Sequence, residues 1–292
     1  MSIKTSKMGN QKANSYINEG AVLFKKNDID GAISHFLTAY KFNSNSVEAS
    51  FNLGYCYFIQ KKYEKAIFYL RQTLKINPSD SQAPNHLGMS LANLGGLMLY
   101  KEPKKSLDYL LESDKYLPKN SKILYNIGNA YHAMGETEKS LETIEKVIQF
   151  DPEFEHTYGQ YYMKLRHFAR WGEAKKIFKK MKELSDKSLK LKQVTAETPY
   201  VSVCNFQDPK RNFEIAKIWA NQDKDLVKDI KFKPKYSKKG IDEKIRIGYL
   251  SYDYRDHATM HLILGVLRSH NHNKFKIYGY SYGPQNKSQY KL

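Results

Sequence analysis

The chain has 292 residues, 41% of them hydrophobic and 27% charged. No apolar run reaches the roughly 18–20 residues of a membrane helix, and the composition is that of a globular protein, so no membrane partner is expected. The net charge of +18 comes mostly from Lys scattered over helix faces such as EAKKIFKKMKELSDKSLKLK; without an Arg-rich stripe, nucleic acid is not the expected partner.

The opening, MSIKTSKMGNQKANSY, is basic but lacks the apolar stretch of a secretory signal, so the expected location is cytoplasmic and residues 1–12 read as a flexible terminus. From Ala13 the sequence repeats. Frames at Ala13, Val47, Ser81, Ser121 and Glu155 give steps of 34, 34, 40 and 34 residues, and 34 is the tetratricopeptide period of a helical hairpin. The eighth position, where two helices cross closely, reads Gly20, Gly54, Gly88, Gly128 and then Tyr162. The twentieth reads Ala32, Ala66, Ser106, Ser140 and Ala174, all small. Large apolar residues fill the remaining columns: Leu23, Tyr57, Leu91, Tyr131 and Leu165 on the first helices, Phe36, Leu70, Leu110, Ile144 and Phe178 on the second. Pro78, Pro118 and Pro152 close three repeats where a helix must stop. The six extra residues of the third frame are expected in the turn of its hairpin, near GGLMLYKEPKK.

The repeats, residues 13–188, thus predict a solenoid whose first helices line a concave face. The sixth position of the frames reads Asn18, Asn52, His86, Asn126 and Gln160. Amide side chains both donate and accept, so such a row suits a peptide backbone of any sequence; equally, asparagine is simply common at that position. Asn18, Asn52 and Asn126 are the candidate peptide-binding residues, and a protein or peptide is the expected partner. The two cysteines, Cys56 and Cys204, lie far apart without metal-ligand spacing and read as inert thiols.

Residues 189–244 read as a connecting segment. Within it NFEIAKIWANQ has helical spacing, with Phe213, Ala216, Ile218 and Trp219 as the apolar residues of a docking helix, and the lysine-rich KFKPKYSKKG reads as an exposed linker. From Ile245 the period changes: IRIGYLS is strand-like, HATMHLILGVLRSH helical and FKIYGYSYG strand-like again, a βαβ unit with parallel strands. Ligands of such units meet the loops beyond the carboxyl ends of the strands, here SYDYRDH, ending at His257. His261 reads as structural, and His270 and His272 as solvated. A zinc pair at His257 and His261 lacks further ligands, so no metal is expected.

The string IRIGYLSYDYRDHATMHLILGVLRSHNHNKFKIYGYSYGP, with ETPYVSVCNFQDPKRNFEIAKIWA ahead of it, resembles the start of the catalytic region in bacterial relatives of the O-linked N-acetylglucosamine transferase (SPINDLY-like) family, which also carry amino-terminal tetratricopeptide repeats. The resemblance implies a mainly α chain: a tetratricopeptide-repeat superhelix followed by a partial α/β Rossmann-like lobe over 245–292. It also implies protein glycosylation, in which a sugar passes from a UDP-sugar donor to a Ser or Thr hydroxyl, with the histidine matching His257 as candidate general base. An alternative is that His257 only makes a structural hydrogen bond at a helix start. In the family the donor sits mainly in a second lobe, and this sequence has no glycine-rich phosphate loop. No cofactor site is therefore expected within it. The expectation is a transferase polypeptide inactive alone, with the missing catalytic half as a further partner, or else a non-catalytic repeat scaffold.

Overall fold

The computed structural model describes residues 2–154, 156–227 and 244–283. It divides into two compact units, residues 1–228 and 229–292. The lysine-rich stretch 231–240 lies outside the described residues.

Ten helices of the first unit pair as five hairpins: α1 (Ser2–Lys25) with α2 (Ile29–Phe42), α3 (Val47–Ile59) with α4 (Tyr63–Ile76), α5 (Ala83–Met98) with α6 (Pro103–Tyr116), α7 (Ser121–Ala133) with α8 (Thr137–Phe150), and α9 (His156–His167) with α10 (Trp171–Leu191). Helix α1 begins at Ser2, so residues 2–12 are helical where a flexible terminus was expected. The segment has no proline, and the end of α2 supports it: Tyr16 stacks on Phe42 at 5.7 Å, with Lys12 Nζ 5.6 Å from the same ring. In the hairpin turns of the first, second, fourth and fifth repeats the same frame position, held by Asn27, Lys61, Gly135 and Ala169, takes a left-handed φ of 62°, 59°, 80° and 55°.

Within the hairpins the helices touch through glycine. A Cβ on Gly20 would lie 2.7 Å from the ring of Phe36, one on Gly54 2.6 Å from Leu70 Cγ, and one on Gly128 3.2 Å from Ile144 Cγ1. The partners Phe36, Leu70 and Ile144 are buried, so they have no room to withdraw. In the fourth hairpin Ser140 Oγ also donates to the carbonyl of Gly128 at 2.6 Å.

The third hairpin departs from the expected register. Its six extra residues are not confined to the turn. Helix α5 has 16 residues against 13 in α3 and α7, and runs past the point where those helices stop. The crossing therefore moves. Leu110 packs on Gly95, where a Cβ would lie 2.7 Å from its Cγ, and Ser106 Oγ donates to the Gly95 carbonyl at 2.7 Å, matching the Ser140–Gly128 bond. Gly88 meets the far end of α6 instead, with Ser113 Oγ donating to its carbonyl at 2.8 Å. Gly88 and Gly95 are seven residues apart, two helical turns, so both face α6.

In the fifth hairpin Tyr162 takes the place of glycine, tilted against Phe178 at 5.4 Å and donating through its hydroxyl to Asn205 Oδ1 at 2.6 Å. Beyond α10 the chain turns back across α9, where the Gly159 N–H donates to the Ala196 carbonyl at 3.1 Å. Helices α11 (Pro199–Asn205) and α12 (Pro209–Val227) complete this unit. The docking stripe of α12 is not the one expected. Ile215 is fully buried while Phe213 and Ala216 are exposed, because Arg211, Ile215, Ile218 and Trp219 share the inward face at three- and four-residue spacing. Arg211 pairs with Asp186 and with the buried Glu197, and Trp219 Nε1 donates to the Glu197 carbonyl at 3.2 Å.

The second unit is the expected βαβ. Strands β1 (Ile245–Ser251) and β2 (Phe275–Ser281) pair in parallel from Ile245↔Phe275 to Ser251↔Ser281. Helix α13 (Ala258–Arg268) covers one face through Met260 and Leu267, with Tyr254 buried beside them.

Replacing Gly95 by Ala is expected to destabilise the repeat unit by about 1–3 kcal/mol through overpacking against Leu110. Gly172 of α10, with nothing within 4 Å of a Cβ, should instead gain about 0.5–1 kcal/mol as Ala. Urea unfolding midpoints of the two variants check both signs.

Candidate functional site

The first helices of successive hairpins meet along one face. Phe51 and Tyr55 of α3 contact the His86 ring of α5 at 5.6 and 4.9 Å, and Gln160 Nε2 of α9 donates to the Tyr125 hydroxyl of α7 at 2.8 Å. Asn18, Asn52 and Asn126 each stand two residues before the crossing glycine of their helix. A two-residue step turns an α-helix by about 200°, so these side chains point away from the second helix of their hairpin. Asn18 is exposed, Asn52 and Asn126 half-buried, and none of the three amides is hydrogen-bonded among the described residues.

The shifted crossing changes the third member of the row. Asn93, two residues before Gly95, occupies the place that frame counting gives to His86; it is exposed, its Nδ2 donating to the Met89 carbonyl at 2.8 Å. The signal was in the sequence. Asn-x-Gly occurs at Asn52-Leu53-Gly54, Asn93-Leu94-Gly95 and Asn126-Ile127-Gly128. His86 packs against Phe51, Tyr55 and Phe58, its Nδ1 3.0 Å from the Gln82 carbonyl.

At the α9 end of this face lies a cavity of about 420 Å³ walled by His132, Gln160, Met163, Lys164, His167 and Val201, among others. Lys164 is 6% exposed, and its ammonium has neither a hydrogen bond nor an ion pair among the described residues. Burial pushes its pKa down to about 8. His132 is likewise lowered, by burial first and then by the charges of Lys164 and His167. Lys164 escaped the sequence reading. Its only mark was a lysine three residues from Tyr161 on an otherwise apolar stripe.

In the second unit the loop after β1 is tied down from within. Tyr254 donates its hydroxyl to the Tyr249 carbonyl at 2.9 Å, and the Asp253 N–H donates to Ser251 Oγ at 3.0 Å. His257 is the N-cap of α13: its Nδ1 accepts the Thr259 N–H at 3.2 Å, with Asp253 Oδ2 3.6 Å away. The ring is about 40% exposed. A neutral imidazole accepting at Nδ1 carries its proton on Nε2. His261 Nε2 meets Asp256 Oδ1 at 2.8 Å. His270, expected in solvent, is instead half-buried against Tyr249, whose hydroxyl lies 2.7 Å from its Nε2, because the helix returns the chain beside β1. Among the described residues no group of three or more His, Cys, Asp or Glu could hold a metal ion. Burial raises the Cys56 thiol to about 11.

Comparison with known proteins bears on both units. Residues 47–80 and 121–154 match the tetratricopeptide repeat, coinciding with the second and fourth frames, and residues 168–292 match glycosyl transferase family 41. Tetratricopeptide repeats are thus followed in this chain by a region similar to glycosyl transferase family 41. That region begins inside the fifth hairpin, upstream of the βαβ unit. Similar curated proteins are BBSome complex member BBS4 of Bos taurus, 27% identical over 41% of this chain and 22% of the relative. A TPR repeat-containing protein of Methanocaldococcus jannaschii is 27% identical over 49% of this chain and 29% of its own length. The chain thus spans less than a third of either relative. The solved structure of MamA protein aligns with 62% of this chain and 95% of its own, at 27% identity and a TM-score of 0.46. No described helix is long and apolar enough to cross a membrane.

Replacing Lys164 by Met is expected to stabilise the protein by roughly 1–3 kcal/mol at pH 7, since a buried, unpaired charge disappears. The sign of the pH dependence follows from a folded pKa below the ordinary 10.5. The unfolded chain holds this proton more tightly, so the penalty is complete below about pH 8 and fades as pH rises toward 10.5. Thermal unfolding of the two proteins between pH 7 and 10.5 checks the narrowing difference.

Proposed function

We propose that this chain supplies the acceptor-binding and acceptor-side part of a protein O-glycosyltransferase. The observation that carries the reading is the glycosyl transferase family 41 match over 168–292, directly following a face that bears a row of amides. In this reading Asn18, Asn52, Asn93 and Asn126 hold an extended polypeptide by its backbone, each amide able to pair with one peptide N–H and one carbonyl. A UDP-sugar is the donor, N-acetylglucosamine or a related sugar the group moved, and a Ser or Thr hydroxyl the acceptor.

His257 lies beyond the carboxyl end of β1, where ligands of parallel sheets gather. As capped, its ring donates from Nε2 and accepts a proton only at Nδ1. Taking the acceptor's proton therefore requires giving up the Thr259 contact, and the Asp253 carboxylate, 3.6 Å away, would stabilise the imidazolium formed. The cap itself favours the second reading, a non-catalytic repeat scaffold in which His257 only starts a helix.

Two substitutions separate these roles. Asparagine is a good N-cap without a titrating base, so His257→Asn should keep the stability of the βαβ unit, while His257→Ala loses about 1 kcal/mol. With a donor-binding catalytic half supplied, sugar transfer from UDP-N-acetylglucosamine to Ser/Thr peptides, followed by mass spectrometry, should fall by about 10²–10⁴-fold in both variants if His257 is the base. Transfer preserved in His257→Asn would leave it a cap. Peptide binding without any sugar transfer, even with a donor-binding catalytic half supplied, would select the scaffold.

A further inference from the structure

We propose that Lys164 is the receptor for a carboxylate of the polypeptide held on the first-helix face, an acidic side chain or a terminal carboxyl group. The inference rests on the reading of that face as a peptide groove and adds a chemical preference to it.

The cavity wall combines two unmet demands. Lys164 is only 6% exposed, its ammonium has no partner among the described residues, and no carboxylate is among the residues that line the cavity beside it. A buried charge without a counterion is costly, and an incoming carboxylate would remove that cost by forming a charge-assisted hydrogen bond. Gln160 supplies the other demand. Its Nε2 is committed to the Tyr125 hydroxyl, whereas its Oε1 is buried without a donor. An acceptor beside an ammonium suits a peptide segment, whose backbone N–H answers Gln160 while its carboxylate answers Lys164. Met163 and Val201 complete a wall fit for the aliphatic part of such a residue.

The size and charge narrow the ligand. About 420 Å³ accommodates a single amino-acid side chain with its backbone, or a chain terminus, and excludes a bulky ligand such as a folded domain. A phosphate dianion calls for several fixed cations, and His132 is held toward its neutral form by burial and by the neighbouring Lys164 and His167. Gln160, which lines the cavity, also holds the sixth position of the fifth frame, so the cavity shares a residue with the amide row. A polypeptide laid along Asn52, Asn93 and Asn126 would reach it at one end.

The test uses the full chain and a library of ten-residue peptides, each synthesised with a free and an amidated carboxyl end, with Asp/Glu or Asn/Gln, and with phosphoserine. Fluorescence anisotropy is expected to show binders that weaken about tenfold or more when one carboxylate is neutralised. Lys164→Met should erase that preference while leaving the neutral peptides bound as before. Asn52→Ala and Asn93→Ala should weaken acidic and neutral peptides alike. The arms with free and amidated ends tell a terminal carboxylate from a side chain. Binding indifferent to carboxylates, a preference that survives Lys164→Met, or a Lys164-dependent preference for phosphoserine over Asp would each overturn the assignment. Binding of no peptide at all would overturn the groove reading, and this inference with it.

Discussion

The closest constraint in this molecule is the absence of a side chain where the two helices of a hairpin cross. At Gly20, Gly54 and Gly95 a single methyl group would collide with a buried Phe or Leu, and at Gly128 it would press within 3.2 Å of Ile144. Close approach lets those large residues fill the crossing, and stacking then buries faces that no hairpin covers alone. The crossing also determines what points the other way. A residue two positions before the glycine is turned by about 200°, onto the face shared by the first helices. The amide row is therefore a geometric consequence of the glycine seam, whatever it binds.

The third hairpin shows how the fold absorbs an insertion. Six extra residues looped out of the turn would have left the crossing at Gly88. Instead α5 lengthens, and the crossing slides by seven residues, close to two whole turns, so that the same side of α5 still faces α6. Ser106 and Ser113 each find a glycine carbonyl on the opposite helix, 2.7 and 2.8 Å away. The slide delivers Asn93 to the amide row and leaves His86 two turns away, among the aromatic rings of α3.

Two buried charges in the first unit are treated in opposite ways. Glu197, fully buried, pairs with Arg211 and has its backbone carbonyl bound by Trp219, which anchors α12 to the end of the repeats. Lys164 is nearly as buried and has no hydrogen-bond or ion-pair partner among the described residues. A structural ion pair and an open demand for an anion thus sit in one unit, and the second faces the cavity at the α9 end of the first-helix face. In the other unit the imidazole of His257 is engaged by the backbone of its own helix, so its chemistry is coupled to the integrity of that helix start.

By itself the sequence determined the repeat period, the helix pairs, the βαβ order and the position of His257 before a helix. Each is a local pattern, carried by spacing along one segment. It did not determine which glycine of the third frame lies at the crossing, because Gly88 and Gly95 share a helix face and only packing against Leu110 chooses between them. Nor did it reveal that Ile215 rather than Phe213 is buried, or that Lys164 is shielded from solvent. Burial depends on elements distant in the chain, here the segment carrying Ala196 that crosses α9 and the helix that follows it. The tertiary structure decided these points, since a side chain's surroundings are set by neighbours that its own stretch of sequence does not contain.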